Sequence, residues 1–65
     1  MAPDYIYDGS GRMIGWTVTQ VNGDVYVYNA TGRMLGFASQ ASGKTFNEGG
    51  GVVSFSFAPL LLLRD

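Results

Sequence analysis

The chain alternates. In the stretch Met13-Ile14-Gly15-Trp16-Thr17-Val18-Thr19, Ile14, Trp16 and Val18 fall on one side and Met13, Gly15, Thr17 and Thr19 on the other. This period of two is that of a β-strand. Similar runs, rich in Val, Thr, Tyr, Trp and Phe, recur along the chain and favour the pleated conformation. They predict six strands, at roughly 4–7, 12–21, 24–28, 33–39, 44–46 and 51–57. No segment carries a helical period. Short turns join consecutive strands, so the expected fold is all-β: an antiparallel meander, with closure into a small barrel or assembly into an oligomeric β-structure as the ways to cover its surfaces.

A repeat underlies the pattern. Tyr7-Asp8-Gly9-Ser10-Gly11-Arg12-Met13-Ile14-Gly15-Trp16 returns as Tyr28-Asn29-Ala30-Thr31-Gly32-Arg33-Met34-Leu35-Gly36-Phe37, with Tyr, Gly, Arg, Met and Gly kept. A worn third copy follows at Phe46-Asn47-Glu48-Gly49-Gly50-Gly51-Val52-Val53-Ser54-Phe55, without the Arg and the second Gly. Asp or Asn at the first turn position and Gly at the fourth suit a type I turn that re-enters the strand through a bulge. Hairpin tips are therefore expected at 8–11, 29–32 and 47–50. Asn22-Gly23 reads as a two-residue hairpin turn and Ala41-Ser42-Gly43-Lys44 as a looser one. The chain divides into repeats at about 5–25, 26–45 and 46–58, within a single domain of residues 1–65.

Alternation also suggests a core: Ile14, Trp16, Val18, Leu35, Phe37, Val53, Phe55 and Phe57. The segment Val25-Tyr26-Val27-Tyr28 is apolar on both faces, so each face needs a cover, from a neighbouring subunit or from the sheet curling on itself. The tail Pro59-Leu60-Leu61-Leu62-Leu63-Arg64-Asp65 has no period of two. It either closes the end of the core as a last strand or short turn, or docks on a partner chain.

The order Tyr-Asp-x-x-Gly-Arg, an apolar pair, a Thr-bearing strand, a turn with Gly and then Tyr-x-Tyr resembles the YD repeat of Rhs-type and teneurin-type shells. Tyr7, Asp8, Gly11, Arg12, Tyr26, Tyr28, Gly32 and Arg33 carry the likeness over Tyr5 to about Phe37, half the chain, and Asn29 departs from the usual Asp. In that family the repeats are structural, winding into long sheets that enclose a toxin or a cavity. The resemblance implies a hairpin scaffold; three copies are too few to enclose anything.

Composition sharpens these expectations. A chain of 65 residues has a small core and usually needs a supplement: disulfides, a metal or oligomerisation. It contains no Cys and no His, which removes disulfides, thiolate sites and the commonest metal ligand and general base. Oligomerisation remains, and a homo-oligomer, such as a ring of copies, is the expected partner state. Charged residues make up 14% and the formal charge is −1, too little cationic surface for a nucleic-acid binder. The longest apolar run is far short of the ~20 residues that cross a bilayer, and the N-terminus lacks the look of a signal peptide. A cytoplasmic protein with no membrane or nucleic-acid partner and no cofactor is expected.

Catalytic chemistry finds little support in these residues. Lys44 sits in a turn, Asp8 has a turn to hold, and Gly49-Gly50-Gly51 lacks the helix start and the Gly-Lys-Ser/Thr of a phosphate loop. No catalytic residues are assigned. The candidate ligand or interface residues are Trp16, Tyr26, Tyr28, Arg12, Arg33 and Leu60, Leu61, Leu62 and Leu63. Arg12 and Arg33 share a repeat position, to pair with acids of their own turns or to form an anion-binding ladder. Two functional classes follow: a non-enzymatic interaction module that self-associates through its sheet surfaces, or a small-ligand or glycan-binding module that stacks its ligand on exposed aromatics.

Overall fold

A computed structural model describes residues 3–63; Arg64 and Asp65 of the tail lie outside the described residues. Six strands form one antiparallel sheet in chain order: β1 (Asp4–Tyr7), β2 (Met13–Thr19), β3 (Val25–Asn29), β4 (Met34–Ser39), β5 (Lys44–Asn47) and β6 (Val52–Ser54). A 3-10 helix at Pro59–Leu63 packs on β3 and β4. The meander of the sequence reading is thus present as an open sheet, with β1 and β6 as its outer strands rather than joined into a barrel. Among the described residues no helix is long and apolar enough to cross a membrane.

Each repeat builds the same tip. The Asp8 carboxylate accepts the N–H groups of Ser10 and Arg12 at 2.9 and 3.0 Å. Asn29 does the same for Thr31 and Arg33, and Asn47 for Gly49 and Gly51. The fourth-position glycine then donates its N–H to the carbonyl of the first residue in all three turns. Gly11, Gly32 and Gly50 have φ of 86°, 92° and 88°, a region that costs a residue with a Cβ. After each turn the register slips once, opposite Ile14, Leu35 and Val53. The worn third copy therefore keeps the tip and the bulge although its Arg and second Gly are gone.

The turn at Asn22-Gly23 differs from the expected two-residue form. Gln20 and Asp24 close the loop, with the Gly23 N–H on the Gln20 carbonyl. Only Gly23 has positive φ, whereas a two-residue type I′ turn needs it at both central residues. Asn22 instead accepts the Asp24 N–H through its side chain. The fourth turn position again holds the glycine, so this loop follows the same rule as the tips.

The core lies on the other face from the one expected. Val27, Ala38 and Leu63 are its buried apolar residues, with Thr17 and Thr45 buried beside them and Gly15 and Gly36 buried in the same rows. Of the expected core, Ile14, Trp16, Val18, Leu35 and Phe37 are only half-buried, and Val53, Phe55 and Phe57 are exposed. The reason is the size of the available cover. The covering segment is a 3-10 helix of only five residues, and it reaches backbone distance only over a floor of small residues. A Cβ at Gly15 would stand 2.6 Å from Leu63 Cδ2, and one at Gly36 would stand 3.1 Å from Leu62 Cδ1. The leucine tail therefore supplies the short turn that covers the core, with Leu63 inside, Leu62 half-buried and Leu60 and Leu61 exposed.

Thr45 anchors that cover. Its hydroxyl donates to the Ser56 carbonyl at 2.8 Å and accepts the Ala58 N–H at 2.9 Å. These bonds draw the chain off the sheet edge, which is why β6 ends at Ser54 rather than running to 57.

Candidate functional site

The face opposite the 3-10 helix carries two rows of aromatic rings, set by register. Trp16 lies across from Tyr5 on one side and Tyr28 on the other. Phe37 lies in the same way between Tyr26 and Phe46. Trp16 and Tyr28 are nearly parallel, 16° apart, with centroids at 5.7 Å; Phe37 and Phe46 are at 20° and 5.1 Å. Tyr5 meets Trp16 edge-on, and Tyr26 is tilted against Phe37. Parallel rings this close cannot lie side by side in one plane, so they overlap. Each ring of these two pairs is stacked on its partner. Cross-strand pairs of this kind stabilise the sheet.

That arrangement bears on the candidate residues. Trp16, Tyr26 and Tyr28 come together on one face, joined by Tyr5, Phe37 and Phe46. Leu60 to Leu63 lie in the 3-10 helix on the opposite face. Arg12 and Arg33 sit at the same end of the sheet, beside the repeat tips, and take different roles. Arg33 reaches the next tip, where Nη2 donates to both oxygens of Glu48 at 3.1 and 3.0 Å. The partner is thus the acid of the neighbouring turn rather than of its own. Arg12 forms no ion pair among the described residues; Ala30 stands where the repeat would place the equivalent of Glu48. A groove of about 320 Å³ between these two tips is lined by Asp8, Arg12, Met13 and Thr31 among others.

Sequence reasoning missed Phe46 as a member of the aromatic face. The signal was available: Tyr7, Tyr28 and Phe46 open the three repeat copies. It also gave no reason for Gly15 and Gly36, which share a repeat position and form the floor under the leucines.

Among the described residues Asp8 is the titratable group with a clear shift. The Ser10 hydroxyl, then the Arg12 backbone N–H, donate to its carboxylate and hold its pKa below the ordinary aspartate value. Because the folded value is the lower one, the contribution is present above the unfolded pKa and is lost as pH falls through the folded one. Acid unfolding should therefore carry an Asp8 component below about pH 4. Asn29 and Asn47 hold the same turn with an uncharged oxygen. Asp8→Asn is expected to preserve the neutral-pH melting temperature and to flatten its fall in acid. An unchanged acid slope in thermal melts would remove Asp8 from this role.

No protein-family model matches the chain, and neither curated proteins nor solved structures give a significant match.

Proposed function

We propose that the chain is a non-enzymatic structural module that self-associates through its sheet surfaces. One observation carries the reading: the 3-10 helix covers one face of the sheet, while nothing among the described residues covers the aromatic face. The Cα extents are 33 × 25 × 18 Å. The broad face is therefore at most about 800 Å², the area that each partner contributes to an interface of standard size. The two rows carry Tyr, Trp and Phe, the residue types enriched in interface cores. A second copy offers the same flat aromatic surface, and sheets pack face to face about 10 Å apart. The low charge and the absence of disulfides favour the same reading, and the YD-like repeat fits a scaffold role. Stacking of Trp16 on Tyr28 and of Phe37 on Phe46 leaves less ring surface to a sugar, which favours this reading over the glycan-binding alternative.

Light scattering over a concentration series tests the proposal. The expected result is a mass that is a multiple of 7.0 kDa, with Trp16 emission shifting to the blue as the protein associates. A monomer at every concentration would overturn the proposal. If that monomer's Trp16 emission were quenched by a panel of sugars, the glycan-binding module would replace it.

A further inference from the structure

The three tips stand side by side, and the two junctions between them differ in charge. Register makes the junctions equivalent, since Gly15 pairs with Asn29 as Gly36 pairs with Asn47. Arg12 therefore stands to Ala30 across the first junction as Arg33 stands to Glu48 across the second. At the second, both Glu48 oxygens accept from Arg33 Nη2, at 3.1 and 3.0 Å. At the first, alanine stops short of glutamate by an acetate-sized fragment, one methylene and one carboxylate. Arg12 forms no ion pair among the described residues.

The groove of about 320 Å³ lies at this junction, lined by Arg12 and Ala30 together with Met13, Ile14, Asp8 and Asn29. We propose that it binds a carboxylate carried on a short apolar stem, with Arg12 as the cation. The Arg33–Glu48 pair shows, within the same molecule, that an arginine at this repeat position reaches a carboxylate beside the neighbouring tip. Guanidinium and carboxylate match in shape and form charge-assisted hydrogen bonds. Asn29 adds a second donor: its side-chain oxygen is held by Thr31 and Arg33, which leaves its amide N–H groups free.

The other lining residues set the preference among anions. A single ion pair on an open surface is weak, so the stem matters, and Met13, Ile14 and Ala30 give it apolar contact. Asp8 lines the same groove and opposes any anion there, a doubly charged phosphate or sulfate more than a single carboxylate. The site lies at the tip end of the sheet, away from the aromatic rows, and is independent of the self-association proposed above.

NMR of the isotope-labelled chain tests the site, with sodium acetate or butyrate replacing sodium chloride at constant ionic strength. Butyrate is expected to move the Arg12 Nε–H and the Ala30 amide along a saturable curve, and to bind more tightly than acetate. Arg12→Gln should weaken it roughly fivefold. Ala30→Glu should abolish it, because the chain then supplies the carboxylate itself and forms the pair seen at Arg33. Asp8→Asn, which keeps the turn, should tighten binding about twofold. Glu48→Ala should create a second site of the same kind, with butyrate now moving the Arg33 signal. Signals that stay in place when butyrate replaces chloride, or a butyrate response that survives Arg12→Gln, would overturn the proposal.

Discussion

Gly36→Ala is expected to lose roughly 3 kcal/mol of stability, and Gly36→Val to leave the chain unfolded at room temperature. A Cβ at this position would overlap the Phe46 carbonyl oxygen and stand 2.9 Å from Asn47 Cα. Both obstacles are backbone atoms of β5, so relief means spreading β4 from β5 and breaking ladder bonds. Gly15 repeats the arrangement, with the Tyr28 carbonyl oxygen and Leu63 in the way, and Gly15→Ala should behave similarly. Gly9 supplies the control. It has open space around its Cβ direction and no positive φ, so Gly9→Ala should stay within about 0.5 kcal/mol of the parent. Thermal melts followed by circular dichroism compare the three. Equal melting temperatures for Gly36→Ala and Gly9→Ala would mean that β4 and β5 do not approach as described.

The second large effect concerns the cover. Leu63→Ala is expected to lose about 2–3 kcal/mol, the usual consequence of emptying a buried leucine site. Leu63 is 9% exposed and rests over Gly15, where no other side chain can take its place. Leu60, 57% exposed one turn earlier, should tolerate alanine within about 0.5 kcal/mol. Chemical denaturation measures both. In a domain of this size the first loss is a large fraction of the total stability. If Leu60→Ala proved the more damaging, the helix would present a different side to the sheet.

These two effects share a cause. The buried residues of the covered face contribute little apolar area: Gly15, Thr17, Gly36, Ala38 and Thr45 around a single Val27. Its stability comes from close approach and from satisfied polar groups, as the two bonds of the Thr45 hydroxyl illustrate. The bulky rings lie on the opposite face, where they stabilise strand pairing and remain available to a partner. A Thr or Gly in a half-buried strand is thus no sign of an outward-facing position when the covering element is thin.

The division between what was legible in the chain and what was not follows from range. Turn chemistry is local: Asp8, Asn29 and Asn47 with their glycines three residues on determine the tips by bonds that span two to four residues. The sequence by itself therefore determined the all-β class, the strand order of the meander, the repeat and the even spacing of aromatics. It also placed Val25 and Val27 opposite Tyr26 and Tyr28. Which face would be covered was decided only in three dimensions, because alternation distinguishes two faces without saying which is inside. The tail decided it. Four leucines without a period read equally well as a strand, a turn or an arm, and only the floor of Gly15 and Gly36 lets Leu62 and Leu63 settle where they do. The ring geometry and the Arg33–Glu48 pair belong to the same class, since each joins residues from separate strands or tips whose distance depends on register.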